Sequence, residues 1–214
     1  VKEQTYPNIE IIVVNDKSTQ VEYYDYDWSS CNVKIIHLEK NSREKFGYGC
    51  AGFVRNEGIK LSSGKYIAFC DDDDIWFPNK IEIQLKAMRE TGCKMSSSDG
   101  LIGNGIFNPT KSYKKYNAEY YYKTLQNIYN RKGSNLLDNG FPKIWDLNFL
   151  KIHNCVICSS VVIEKTILDK INNMKCVKNE DYDCWLRALE YTNIIYVKDI
   201  CFYYDSGHGD GQNY

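Results

Sequence analysis

A chain of 214 residues with a formal net charge of −1 is long enough to bury one sizeable core. It carries no surplus of either sign that would steer it to nucleic acid or an anionic membrane. No apolar run approaches the ~20 residues of a bilayer span, so no integral membrane segment is expected. The nine cysteines are odd in number and scattered through apolar segments. That distribution suits reduced, buried thiols in a cytoplasmic compartment better than a disulfide framework.

In chain order, Ile9-Glu10-Ile11-Ile12-Val13-Val14 reads as a buried parallel strand that stops at the polar turn residues Asn15 to Thr19. The polar, aromatic segment 23–30 reads as a distorted helix, 33–38 as a second strand and 41–49 as a loop. Ala51, Val54, Gly58 and Leu61 recur at helical spacing over 50–62, and Ser62-Ser63-Gly64 ends that helix. A third strand, 65–70, runs into Asp71-Asp72-Asp73-Asp74. Pro78 opens the first turn of a helix striped by Ile81, Leu85 and Met88 and ended by Gly92.

Two strand–helix–strand passages predict a parallel, right-handed α/β sheet. From 95 to 147 the pattern weakens, with a tyrosine-rich polar stretch at 113–129, and reads as a variable insert. Order returns with a strand at 154–163, a short helix at 164–172, a helix at 180–191 and a final strand at 193–204 before a Gly-rich tail. No internal repeat or linker divides the chain.

The four aspartates carry the chemistry. Adjacent carboxylates repel one another, and alone they would form a solvated turn. At the C-terminal end of a buried parallel strand they stand where open α/β sheets bind ligands, and clustered oxygens there suit a hard cation that also holds substrate phosphates. A calcium loop is excluded, because Ile75 and Trp76 occupy the positions where it needs an oxygen ligand and a glycine.

Asn15-Asp16 forms an Asx turn readily, yet a carboxylate facing the same crevice can accept hydrogen bonds from a base or ribose. Arg55 and Asn56 are either solubilising or, for Arg55, a bidentate clamp on carboxylate or phosphate. Glu180-Asp181 complements a helix dipole that Asn179 can cap; spacing favours this reading over a general base. His208 lies in the tail and is more often unremarkable than a ligand, though imidazole suits manganese-like ions. Cys155 and Cys158 are a single pair with little claim to a metal or redox role.

Together these motifs resemble family 2 glycosyltransferases with the GT-A fold. The resemblance runs from Gln4 to Thr19, through Arg55-Asn56-Glu57-Gly58-Ile59 and Gly64 to Asp74, to Glu180-Asp181-Tyr182-Asp183-Cys184-Trp185-Leu186-Arg187, in order and at the right spacing. It implies one GT-A (Rossmann-like) domain over 1–214, a three-layer α/β sandwich with a mostly parallel central sheet. Its nucleotide-binding half would span about 1–95 and its acceptor half about 96–214. It implies an inverting, metal-dependent transfer of sugar from a nucleotide sugar, a UDP-sugar first among donors, to a hydroxyl on a glycan, lipid-linked or protein acceptor.

Residue by residue, Asp16 matches the nucleotide-contacting aspartate, with Asn15 departing from the more usual Asp, and Arg55 matches the arginine on the nucleotide side. Asp71 and Asp72 would lie near ribose and donor sugar. Asp73 would ligate Mn2+ or Mg2+ with His208 near it, and Asp181 would be the catalytic base. Asp74 is left as the start of the following turn, and Trp185 as a core residue.

A non-catalytic sugar-nucleotide-binding module, or a nucleotidyltransferase of related topology, are the alternatives. The family's first strand would precede Val1, so the expectation is that a chain extended at its N-terminus is more stable and binds a sugar nucleotide with manganese more tightly. Equal affinity of the 214-residue chain and an extended one, by calorimetric titration, would overturn it.

Overall fold

The computed structural model describes residues 1–207. Strand β1 (Ile11–Asn15) is followed by a helical turn α1 (Glu22–Asp25) and β2 (Val33–His37). Helices α2 (Ser42–Phe46) and α3 (Ala51–Leu61) lead to β3 (Tyr66–Ala68), the acidic turn, β4 (Ile75–Trp76) and helix α4 (Lys80–Thr91). Then come β5 (Met95–Gly103), β6 (Lys114–Lys115), a π-helical turn (Tyr116–Tyr121), α5 (Tyr122–Arg131), β7 (Ile144–Trp145) and α6 (Leu147–Ile152). A 3-10 turn (Cys158–Ser160), β8 (Val161–Glu164), α7 (Lys165–Lys170), α8 (Glu180–Ala188) and β9 (Ile194–Asp205) complete the order.

β1 and β2 pair in parallel as a small sheet. A larger mixed sheet runs β3-β8-β5-β9-β4, with β6 on β5 and β7 on β9. Its central β5–β9 ladder is parallel, and the flanking β3–β8 and β5–β8 ladders are antiparallel. Successive side chains of a strand point to opposite faces, and here they divide two cores. Val161, Ile163, Ile194 and Tyr196 enter the cluster with Trp145, Phe149, Leu168 and Trp185 beneath α5 to α8. Val162, Ile195 and Val197 enter the cluster with Trp76, Ile81, Leu85 and Met88 under α4. The result is helix, sheet, helix, as expected, and Trp185 is fully buried in the first core.

Several boundaries differ from the sequence reading, for identifiable reasons. Residues 154–160 are not strand: Ser159 and Ser160 turn into the buried polar network described below, and pairing starts at Val161. The insert contains the longest inner strand after β9, β5, which the sequence hides because Ser96, Ser97, Ser98, Asp99 and Gly100 lack the apolar run of a buried strand. Gln84 Nε2 donates to Ser96 Oγ at 3.0 Å, and Ser97 Oγ meets Ser160 Oγ at 2.8 Å, so these hydroxyls are buried at little cost. A Cβ on Gly100 would stand 2.5 Å from the Phe202 ring. The expected loop 41–49 holds α2, whose first turn is capped by Asn41 Oδ1 accepting from Glu44 N–H at 2.7 Å. Pro78 precedes α4 rather than opening its first turn.

The small sheet is fastened to the rest by Glu10. Its Oε1 accepts from the Ser63 N–H at 2.6 Å, the Gly64 N–H at 2.8 Å and the Ser63 hydroxyl at 2.9 Å, while Oε2 meets Lys34 Nζ at 3.1 Å. Burial alone would raise this carboxyl, but the Ser63, Lys34 and Gly64 donors outweigh it and hold it at about 2 instead of 4.5. The folded state therefore gains stability above the ordinary carboxyl range and loses it as pH falls from about 4.5 towards 2. Urea unfolding is expected to show Glu10→Gln less stable than wild type by about 1–3 kcal/mol at pH 7, with a smaller loss between pH 5 and pH 3.

Candidate active site

The site is assembled where β3, α3 and α8 meet. α3 approaches the start of α8 closely because residue 52 is glycine: a Cβ there would lie 2.9 Å from the Lys175 carbonyl and 3.0 Å from Glu180 Cγ. One turn on, Asn56 fixes the same segment through Nδ2 to the Met174 carbonyl at 2.8 Å, and its Oδ1 accepts the Met174 N–H at 3.0 Å. Between these contacts Arg55 extends across the crevice. Its Nη2 meets Asp71 Oδ1 at 2.7 Å and its Nη1 meets Glu180 Oε1 at 2.8 Å, with 17 % of the side chain exposed. The single guanidinium thus sets the distance between the acidic turn and the helix that carries Asp181. The sequence left Arg55 open between solubility and a clamp; the structure makes it an internal clamp on two carboxylates.

The acidic turn rests on a buried polar platform. The Asp71 N–H donates to Ser159 Oγ at 3.0 Å, and Trp76 Nε1 donates to the Ser159 carbonyl at 3.1 Å. Lys80, with no exposed surface, donates from Nζ to the Ser160 carbonyl at 3.1 Å and to Gln84 Oε1, and lies 4.9 Å from the Trp76 ring centroid. Burial pulls its ammonium down to about 8. Lys80 and Gln84 escaped the sequence reading. Their signal was two polar residues four apart, interleaved with Ile81, Leu85 and Met88 on one helix stripe.

The four aspartates differ in environment. Asp72 is exposed, and its Oδ2 is 3.4 Å from the Tyr23 hydroxyl. Asp71 and Asp73 are half-buried, and Asp73 is pushed up by burial and by its neighbours Asp72, Asp71 and Asp205. Asp74 is buried and raised to about 7, chiefly by desolvation. Its Oδ1 accepts the Asp205 N–H at 3.1 Å while Oδ2 has no protein partner, so the residue first assigned only a turn also latches β9 to the acidic turn. Asp205 in turn accepts from the Gly105 N–H at 2.7 Å and the Gly207 N–H at 2.8 Å.

Among the described residues no three His, Cys, Asp or Glu side chains form a ready metal cage. The donor set is nonetheless all oxygen, with an orphaned buried oxygen on Asp74 beside it. It fits a hard cation that completes its shell with substrate phosphate and water.

Asp181, half-buried on the first turn of α8, is raised by desolvation and by Glu180 and Asp71, while the Tyr182 N–H at 2.6 Å and Arg55 act in the opposite direction. Asn179 does not cap this helix: it adopts a left-handed φ of +55° and makes no side-chain cap bond. The Asp181 carboxylate takes the Tyr182 N–H instead, so the dipole reading holds without the Asn179 cap. Asp16 stands apart, its Oδ1 accepting the Ser42 N–H at 2.8 Å and its Oδ2 the Ser42 hydroxyl at 2.6 Å. Asn15 closes the turn after β1 with Oδ1 accepting the Ser18 N–H at 2.7 Å, three residues on and not the two of the expected Asx turn. His208 lies outside the described residues. Cys155 and Cys158 are buried free thiols.

The chain belongs to glycosyl transferase family 2, whose model matches residues 1–145. It is 29 % identical over 197 residues to the UDP-Glc:alpha-D-GlcNAc-diphosphoundecaprenol beta-1,3-glucosyltransferase WfgD of Escherichia coli, covering 91 % of this chain and 63 % of the relative. It is 39 % identical over 141 residues to an uncharacterized glycosyltransferase of Rickettsia bellii, covering 66 % of this chain and 17 % of that protein. The S. aureus TarS structure in complex with UDP-GlcNAc superposes with a TM-score of 0.65 at 18 % identity, over 98 % of this chain and 53 % of that one. That likeness shows the GT-A fold. The chain spans less than two thirds of the length of these relatives.

The Arg55 charge opposes the burial of Asp181, so its removal moves the Asp181 carboxyl further up. In Arg55→Gln, a carbon-13 NMR titration of aspartate carboxyls is expected to show Asp181 titrating at higher pH than in wild type; an unchanged midpoint would separate the two residues electrically.

Proposed function

We propose that this chain is an inverting transferase that moves a sugar from a UDP-sugar to a hydroxyl of a lipid-linked carbohydrate acceptor, and that it depends on Mn2+ or Mg2+. The observation that carries this reading is the Arg55 bridge, which ties the carboxylate turn at Asp71 to Glu180, the residue next to Asp181 on the first turn of α8. The named substrates of the WfgD relative and the UDP-GlcNAc bound to TarS support the donor class, and the diphosphoundecaprenol-linked sugar of WfgD supports the acceptor class. Residues 1–95 would hold the nucleotide and 96–207 most of the acceptor. No helix among the described residues is long and apolar enough to cross a membrane, and the free thiols support a reducing, cytoplasmic compartment.

In this mechanism Asp16 receives the nucleoside side and Asp71 and Asp72 receive ribose and donor sugar. Asp73 would be the protein ligand of the metal, which supplies positive charge against the diphosphate as it becomes the leaving group. Asp181 accepts the proton of the acceptor hydroxyl while that oxygen attacks the anomeric carbon from the face opposite the diphosphate. Burial raises Asp181, which makes it a stronger base than a solvated carboxylate; it works only when deprotonated, so activity falls as pH drops through its raised range. Arg55 pairs with Asp71 and Glu180, and its charge moderates the rise of Asp181.

The test is nucleotide release from UDP-glucose, UDP-galactose and UDP-N-acetylglucosamine with manganese. Slow hydrolysis of one donor, abolished by chelation and in Asp73→Ala, is expected. Asp181→Asn should cut acceptor-dependent transfer by about 10²–10⁴-fold and leave UDP binding intact. Donor binding with no turnover under any condition would instead favour the non-catalytic module.

A further inference from the structure

The tyrosine-rich stretch has no place in the chemistry above, yet the fold brings it to the crevice. The π-helical turn Tyr116–Tyr121 is fixed at its start by Asp99, a buried carboxylate of the central strand β5. Asp99 accepts the Asn117 N–H at 2.9 Å and the Ala118 N–H at 3.1 Å. Asn117 Nδ2 also donates to the Cys155 carbonyl at 3.1 Å. An irregular turn tied this firmly to a sheet presents its side chains in fixed positions.

Tyr116 and Tyr121 stand with ring centroids 4.9 Å apart, and Tyr204, on β9, meets Tyr116 edge-on at 5.5 Å. Tyr116 and Tyr204 are half-buried, while Tyr121 is 36 % exposed. The set stands beside the acidic turn: Tyr204 precedes Asp205, whose N–H donates to Asp74 Oδ1 at 3.1 Å, and Tyr116 packs against Tyr204. The charge of Asp181 reaches Tyr116, and those of Asp74, Asp73 and Asp71 reach Tyr204.

We propose that Tyr116, Tyr121 and Tyr204 form the platform on which a sugar ring of the acceptor stacks, its attacking hydroxyl turned to Asp181. The inference rests on reading the chain as a sugar transferase and adds the acceptor's chemical class at this place: a pyranose. A pyranose has an apolar C–H face that matches a tyrosine ring and hydroxyls that match phenol and carboxylate oxygens. Tyrosine suits this task because it offers a large, stiff contact area with a polar tip at low entropic cost. A diphosphate, by contrast, would find only neutral hydrogen bonds at these phenols and no cation to pair with. Tyr116 and Tyr121 lie on an element separate from those of Arg55, Asp16 and the acidic turn, which separates their work from donor binding; Tyr204 stands where the two meet.

The experiment is ligand-observed saturation-transfer NMR with methyl α-glucoside, methyl α-galactoside and methyl N-acetyl-α-glucosaminide, each with and without UDP and manganese. At least one glycoside is expected to bind wild type, and Tyr121→Ala should weaken it at least about tenfold with UDP affinity unchanged. Tyr204→Phe, which keeps the ring, should retain most of the binding, and Tyr191→Ala, an exposed tyrosine at the far end of α8, should retain all of it. The proposal is overturned if no glycoside binds wild type, or if Tyr121→Ala, shown folded by its near-UV circular dichroism, binds as wild type does. Failure of UDP to bind wild type would instead strike the donor reading, while the glycoside titrations without UDP still decide the platform.

Discussion

Arg55 is the residue through which the two ends of this chain become one site. Its guanidinium forms ion pairs with Asp71 and with Glu180, residues 109 positions apart in the sequence, and little of it remains in solvent. A charge that deep contributes little net stability, because desolvation takes back much of the attraction. What it contributes is position. A planar fork accepts its partners only in certain directions, so the carboxylate turn cannot rise and α8 cannot slide without breaking a charge-assisted bond. Gly52 and Asn56, on the same helix, bring the α8 segment within that reach. Lysine at this place would keep the charge and lose the geometry.

The acidic turn has a second support, below rather than beside it. Ser159 and Ser160 interrupt what would otherwise be a longer β8 and offer hydroxyls and carbonyls to Asp71, Trp76, Lys80 and Gln84. Every hydrogen bond made there removes a reason for the turn to relax towards water, which adjacent like charges would otherwise favour. The ammonium of Lys80, buried among these groups, is held by the Ser160 carbonyl and Gln84 and lies against the Trp76 ring.

How much of this was legible in the sequence follows from what each residue type reveals alone. The apolar runs of β1, β2 and β3, and the stripes of α3, α4 and α8, declared themselves because a buried face must repeat with the period of its element. The acidic turn was legible because four carboxylates at a strand end have few inexpensive explanations. Strand β5 was not, since serine and aspartate are disguised as loop residues until Gln84, Ser160 and the π-helical turn supply their partners. Asn179 was misread as a cap because propensity fixes a residue's options and not its φ. Asp74 and Asp205 were hidden because their pairing joins a turn to a strand end more than a hundred residues away. The joint role of Arg55 was hidden for the same reason: one partner is near in sequence and the other is far.

The sheet topology has a consequence for the order in which the protein can acquire its structure. Among the described residues β3 pairs only with β8, and β5 gains its parallel neighbour only when β9 has been made. The acidic turn lies early in the chain, but Ser159, Glu180 and Asp205, which hold it, all come from the later part. On the ribosome the acidic turn must therefore wait, unsupported, until nearly all of the described chain has emerged. Closure of such distant contacts is slow, because long loops lose their entropy before any contact rewards them. The proposed division into a nucleotide half and an acceptor half would thus be one of chemistry and not of folding.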